Sequence, residues 1–256
     1  ELSVPGSFNL LRNLTYPNGH LNLVLIAQDW IEGKNNFDFD HLTGRFRNDG
    51  VFTRSSVIEA SNYFEGTMNS LVLSSGFFGP NILFLDLSGN RLSDSATQKI
   101  IRKAQHFSLG IYLFVPGEQW KGGGRSVNVW VSDMSPDWEP ENLPVSLDLS
   151  LLTGHILRKN WNATLRVVCG VSDKDDVETG HLFLENYLRQ ARFPEADLHV
   201  NHGRLDRIIR NTPRADLDIF GLPLEFEDFE FMRDLVEETD SACLFVKGSG
   251  NENALA

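Results

Sequence analysis

Residues 126–171 read SVNVWVSDMSPDWEPENLPVSLDLSLLTGHILRKNWNATLRVVCGV, and this stretch decides the fold class. Its two ends, 127–131 and 165–171, are short runs dominated by valine and leucine, the composition of strands. Between them Leu149, Leu152 and Ile156 recur at three- and four-residue spacing, which places one apolar stripe along a helix. A strand, a helix and a second strand in that order predict a parallel crossover, because parallel neighbours need a connection long enough to hold a helix.

The same alternation extends in both directions. Strands are predicted at 21–28 (LNLVLIAQ), 81–87 (NILFLDL), 110–115 (GIYLFV), 217–220 and 242–246. Several are apolar on both faces, as strands covered by helices on both sides must be. Phe64, Met68, Leu71 and Val72 form a helical stripe; so do Ile100, Ile101, Ala104 and Phe107, and again Phe229, Met232, Leu235 and Val236. Asp173 reads as the N-cap of a further helix running to about Arg192. The expected class is α/β, with mainly parallel sheets flanked by helices.

A chain of 256 residues exceeds the usual ~100–200 for one domain. Periodicity breaks at 116–125, PGEQWKGGGR, where glycines and a proline interrupt it. The expected organisation is a first half over 1–117, a flexible Gly-rich linker over 118–126 and a second half over 127–256. FNLLRNLTYPNGHLNLVLIAQD near the start and LSLLTGHILRKNWNATLRVVCGVSD in the second half both read as helix, polar turn, strand and acidic residue, a weak internal repeat.

Composition narrows the function classes. A net charge of −12 repels phosphate backbones and anionic lipid, so nucleic acid is not an expected partner. The longest apolar runs fall far short of the ~20 residues of a membrane span, so no membrane insertion is expected of this chain. It starts at Glu1 with no initiator Met and no signal-peptide pattern, which suggests a piece of a longer protein. Cys169 and Cys243 sit in predicted strands as small buried hydrophobes, which fits a reducing compartment.

Motifs that carry chemistry are missing. Neither GxGxxG nor GxxxxGK[ST] occurs, and Gly122, Gly123 and Gly124 precede a strand rather than a helix. An EF-hand loop starting at Asp173 would need Gly and Glu where Glu178 and Leu184 stand, so Asp173, Asp175, Asp176 and Glu178 read as a solvated helix start. His199 and His202 lie three apart without further ligands. No GxSxG elbow is present, LFLDLSGNRL at 83–92 occurs once where a leucine-rich solenoid needs several copies, and no enzyme is predicted.

Three further stretches carry a resemblance. LVLSSGFFGPNILFLDL from Leu71, with Gly76, Gly79, Pro80 and Asn81, resembles the helix, glycine-rich turn, Pro-Asn and strand of cation-chloride cotransporters. SVNVWVSD and LSLLTGHILRKNWNATLRVVCGV resemble later segments of that family through Trp130, Asp133, Trp161, Leu165 and Arg166, and SACLFVKGSGNENALA is similar to the end of prokaryotic-type members. The resemblance covers roughly residues 20–256. It implies two universal stress protein-like halves forming a regulatory and dimerisation domain at the cytoplasmic side of the membrane. It further implies a homodimer attached to the chain's own transmembrane transport domain, which would move chloride with sodium or potassium. Long phosphorylatable insertions of animal relatives are missing, so kinase control is not expected.

Universal stress proteins often hold ATP through glycines after their fourth strand; here that stretch is FGLPLEFEDFEF, with Pro223 and carboxylates instead. No cofactor is expected. The weak nucleotide candidates are Asp133 and Gly221, which lie at strand ends where open α/β sheets bind ligands. The alternative reading is a soluble tandem universal stress-like protein that binds nucleotide.

Overall fold

The computed structural model describes residues 4–27, 36–74, 79–88, 92–193, 195–223 and 225–256. Chain order in the first half is α1 (Val4–Thr15), β1 (His20–Ala27), α2 (Asn36–Asn48), β2 (Phe52–Glu59), α3 (Tyr63–Ser74), β3 (Ile82–Asp86), α4 (Asp94–His106) and β4 (Gly110–Val115). The second half continues with β5 (Ser126–Val131), α5 (Leu147–Trp161), β6 (Thr164–Val171), α6 (Asp176–Gln190), β7 (Asp197–His202), α7 (Leu205–Asn211), β8 (Leu217–Gly221), α8 (Phe229–Thr239) and β9 (Ala242–Lys247).

Seven strands form one sheet in the order β3-β4-β9-β8-β5-β6-β7, and β1 and β2 pair in parallel in a separate two-stranded sheet. Within each half the strands are parallel to one another. The halves meet where β4 and β9 run antiparallel, with Leu113 opposite Phe245. Side chains alternate across the sheet as the pleat requires. Tyr112, Phe114, Leu244 and Val246 enter a core under α1, α5 and α6. Ile111, Leu113, Cys243 and Phe245 enter a second core with residues of α3, α4, α7 and α8. Burial of each large apolar side chain on these strands contributes about 1.5–3 kcal/mol.

The predicted apolar strands are all present to within a residue or two, apart from Gln28, which lies outside the described residues together with Gly76. Two strands escape the apolar signal. β2 (FTRSSVIE) exposes most of its residues, and β7 (DLHVNH), one of the two edges of the seven-stranded sheet, is exposed at both ends. Neither has two covered faces, so neither reads as an apolar run. The third departure concerns the helix expected to start at Asp173. The N-cap is Asp175 instead, and the Asp173 carboxylate accepts from its amide at 3.0 Å to form a turn ahead of the helix.

The stretch 118–126 is packed rather than slack. Trp120 lies 5.7 Å from Phe114 and 5.9 Å from Trp161, ring centre to ring centre. The Asp216 carboxylate accepts from the amides of Arg125 (2.8 Å) and Ser126 (3.0 Å), so the stretch is fastened to the strand beside it. Helix α1 is fastened in a similar way: Asn160 of α5 donates to the carbonyls of Asn13 (2.6 Å) and Tyr16 (2.8 Å).

Leu244 is fully buried on β9, between β4 and β8. Leu244→Ala is expected to cost about 2–5 kcal/mol. Urea unfolding followed by circular dichroism should show this as a lower midpoint with an unchanged slope.

Candidate functional site

In an open parallel sheet the ligand crevice lies outside the carboxyl ends of the strands, where the chain reverses its direction of winding. Here β5 connects through α5 to β6 on one side, and its other neighbour β8 connects through α8 to β9. Both sequence candidates, Asp133 after β5 and Gly221 at the end of β8, lie at this point.

Asp133 acts as a clasp between strand ends. One carboxylate oxygen accepts from the Ser135 amide (2.9 Å) and hydroxyl (2.6 Å), and the other accepts from the Ser172 amide (2.8 Å) just past β6. Partial burial raises the carboxyl pKa, but the hydrogen bonds from Ser135 and Ser172 outweigh it and hold the group below its ordinary value. The loop that follows runs back into the molecule. Met134 and Trp138 are both 8% exposed, and Trp138 packs 5.9 Å from Phe183. A Cβ at Gly180 would come within 2.6 Å of the Trp138 ring, so only glycine lets α6 accept the indole there.

Gly221 is close to the start of α5: a Cβ on it would lie 3.1 Å from the Ser146 Cβ. After β8, the described polar groups of Leu222 and Pro223 are engaged. The Leu222 amide donates to the Val246 carbonyl (2.7 Å) and the Leu222 carbonyl accepts from the Ser146 hydroxyl (2.5 Å). The Pro223 carbonyl accepts from the Lys247 ammonium (2.6 Å). Lys247, 2% exposed, is held below the usual lysine pKa by burial, which Glu225 partly offsets. The first helical amide of α5, on Leu147, donates to Pro144 at 2.8 Å. A phosphate cradle needs such amides free and converging; here the loop folds onto the protein's own carbonyls and side chains. Nothing in the sequence marked Lys247 beyond a lysine closing an apolar strand.

A second polar cluster lies at the opposite, amino ends of the strands. Asp218, 2% exposed, accepts from Trp130 Nε1 (2.6 Å), Asn128 Nδ2 (3.0 Å) and the Ser241 hydroxyl (2.5 Å). Burial raises its carboxyl pKa, opposed by those three hydrogen bonds and by Arg166, which itself donates to Asn128 at 3.4 Å. Trp130 stacks on Phe220 at 5.4 Å. The cluster is closed and ties β5, β8, β9 and β6 together. Cys169 and Cys243 are buried, and burial pushes both thiols up to about 12, with Asp133 and Asp218 respectively adding to it. Among the described residues no three metal-ligating side chains converge, and no helix is long and apolar enough to cross a membrane.

Two family models match nearly the whole chain: prokaryotic cation-chloride cotransporter, C-terminal domain, 1st, over residues 2–121, and 2nd, over residues 122–255. The chain belongs to this family. One solved structure is that of the cytoplasmic domain of a prokaryotic cation chloride cotransporter, 30% identical, with a TM-score of 0.80 over 97% of this chain and 92% of that one. A putative universal stress protein from Pseudomonas aeruginosa UCBPP-PA14 (14% identity, TM-score 0.56, 90% of this chain and 84% of that one) shares the fold. So does a universal stress protein from Archaeoglobus fulgidus DSM 4304 (13%, 0.56, 96% and 93%). Comparison with curated proteins found no match.

The residues that carried the cotransporter resemblance now have physical roles. Trp130 and Arg166 belong to the Asp218 cluster, Trp161 packs at a tilt against Trp120, and Asp133 clasps β5 to β6. The Asn81 carbonyl, just before β3, accepts from the Gly110 amide at 2.8 Å and sets β3 against β4.

Asp133 is exposed to water, so its clasp is expected to contribute only about 1 kcal/mol. Because its folded pKa lies below the unfolded value of about 3.9, that stability is present above this pH and lost as pH falls through the folded value. Urea titrations should find wild type more stable than Asp133→Asn at pH 7, with the difference closing below about pH 4.

Proposed function

We propose that this chain is the dimerisation and regulatory module of a membrane cation-chloride cotransporter, on the cytoplasmic side of the membrane. Its membrane part would carry chloride together with sodium or potassium. The family places the chain in a cotransporter. The observation that favours an assembly role over ligand binding is the engagement of groups at these strand ends: the Ser146 hydroxyl and the Lys247 ammonium donate to the Leu222 and Pro223 carbonyls, and Met134 and Trp138 are buried. In this reading 118–126 links the two halves, and Asp133 and Gly221 are structural strand-end residues. Such a domain changes transport only by contacting the transporter's conformations with different free energies, so its output is mechanical and its partners are a second copy and the membrane part.

Light scattering on the purified domain at micromolar concentration is expected to give a dimer mass. A monomer at high micromolar concentration, with the full-length protein monomeric as well, would falsify the assembly role. Calorimetric titration with ATP up to millimolar concentration is expected to give no saturable heat. Saturable binding would return the chain to the alternative, a tandem universal stress-type nucleotide binder.

A further inference from the structure

Helices α7 and α8 lie side by side and leave between them a groove of about 360 Å³. Leu205, Phe231 and Leu235 give it an apolar lining, and Asp206, Asp234 and Glu238 stand around them. Phe231 is 46% exposed and Leu205 36%, whereas the neighbouring Phe226 and Phe229 are buried. An aromatic ring is thus left in water at the centre of a strongly acidic segment. Residues 225–240, EFEDFEFMRDLVEETD, hold eight carboxylates and one arginine, more than half of the chain's net charge of −12.

Part of that charge is matched. Glu227 pairs with Arg102, Asp240 with Arg214, and Asp206 with both Arg204 and Arg210. Arg233 of α8 is turned toward Asp94. Glu230, Asp234, Glu237 and Glu238 are exposed and have no ion-pair partner among the described residues. An anionic bilayer surface or a nucleotide is repelled by this face. A second copy of the same face fits no better, because a two-fold axis would bring these carboxylates toward their equivalents. Arg207 is the one cation on α7 without an ion-pair partner among the described residues, too few to reverse the balance.

We propose that the α7–α8 groove docks a Lys- or Arg-bearing segment with an apolar side chain, and that this segment is a cytoplasmic loop of the chain's own membrane part. The occupant follows from charge: cytoplasmic loops of membrane proteins carry an excess of lysine and arginine, the complement of this rim. The apolar residue of the loop covers Phe231 and Leu205, and its cations meet Asp234 and Glu238. The inference rests on the cotransporter reading above and adds the surface through which the domain senses the membrane part. Because the rim charges are exposed, the contact weakens with salt.

The test uses the full-length transporter in nanodiscs of zwitterionic lipid, with the photo-crosslinking amino acid p-benzoylphenylalanine at Phe231 and, in a second variant, at Leu205. Mass spectrometry of the adducts is expected to find Lys- or Arg-containing peptides from cytoplasmic loops. The yield should fall several-fold at 1 M NaCl and in the background Asp234→Asn with Glu238→Gln. Adducts on lipid, adducts on the partner copy's cytoplasmic domain, no intermolecular or interdomain adducts from either position, or a yield indifferent to both salt and charge removal would each overturn the proposal. Light scattering on the same sample separates the two readings. A dimer without loop adducts sinks the groove alone, and a monomer sinks the assembly role while the adducts still judge the groove.

Discussion

The antiparallel pairing of β4 with β9 is the constraint on which the rest of the molecule depends. Both strands are buried almost from end to end, and each supplies side chains to both cores. Neither half can leave this edge open, because an unpaired apolar strand exposes backbone donors and acceptors together with apolar surface. The pairing therefore makes two similar units thermodynamically interdependent. It also explains why the stretch at 118–126 is packed against Phe114, Trp161 and Asp216 instead of spanning a gap.

The covered strands were legible in the sequence because burial on both faces demands an unbroken apolar run, and GIYLFV and ACLFVK are such runs. β2 and β7 were not, because a strand with water on one side or beyond its edge keeps polar residues that read as loop. Helix α2 carries the apolar spacing Phe39, Leu42, Phe46, but its charged and glycine positions dilute the stripe. The N-cap of α6 was misplaced by two residues, since Asp173 and Asp175 are both good turn formers and only geometry decides which one precedes the helix. The joining of two sheets into one was out of reach. It depends on a register between residues far apart in sequence.

The site was legible as a place rather than as a chemistry. Asp133 and Gly221 were chosen by the rule that open α/β sheets bind ligands outside the carboxyl ends of their strands, and both lie at strand ends. The contacts at these strand ends came from residues with no motif: Trp138 opposite Gly180, Ser146 bonded to Leu222 and Lys247 reaching Pro223. Absence of phosphate-binding glycines was visible in the sequence; the engagement of the loop by its own surroundings was visible only in three dimensions. The Asp218 cluster shows the same asymmetry, since Trp130 and Arg166 drew notice as members of a pattern while their shared partner did not.

The register of Leu113 with Phe245 has a consequence for biosynthesis. About 130 residues separate the partners, so β9 leaves the ribosome well after β4. At a synthesis rate of ~5–20 residues per second, β4 waits on the order of ten seconds for its neighbour. During that interval GIYLFV is an apolar edge open to any other nascent chain, so the first half is aggregation-prone until the strand that covers it exists. A ribosome that stalls or terminates ahead of residue 242 leaves that edge permanently uncovered, and the truncated product is a substrate for chaperones rather than a smaller working domain.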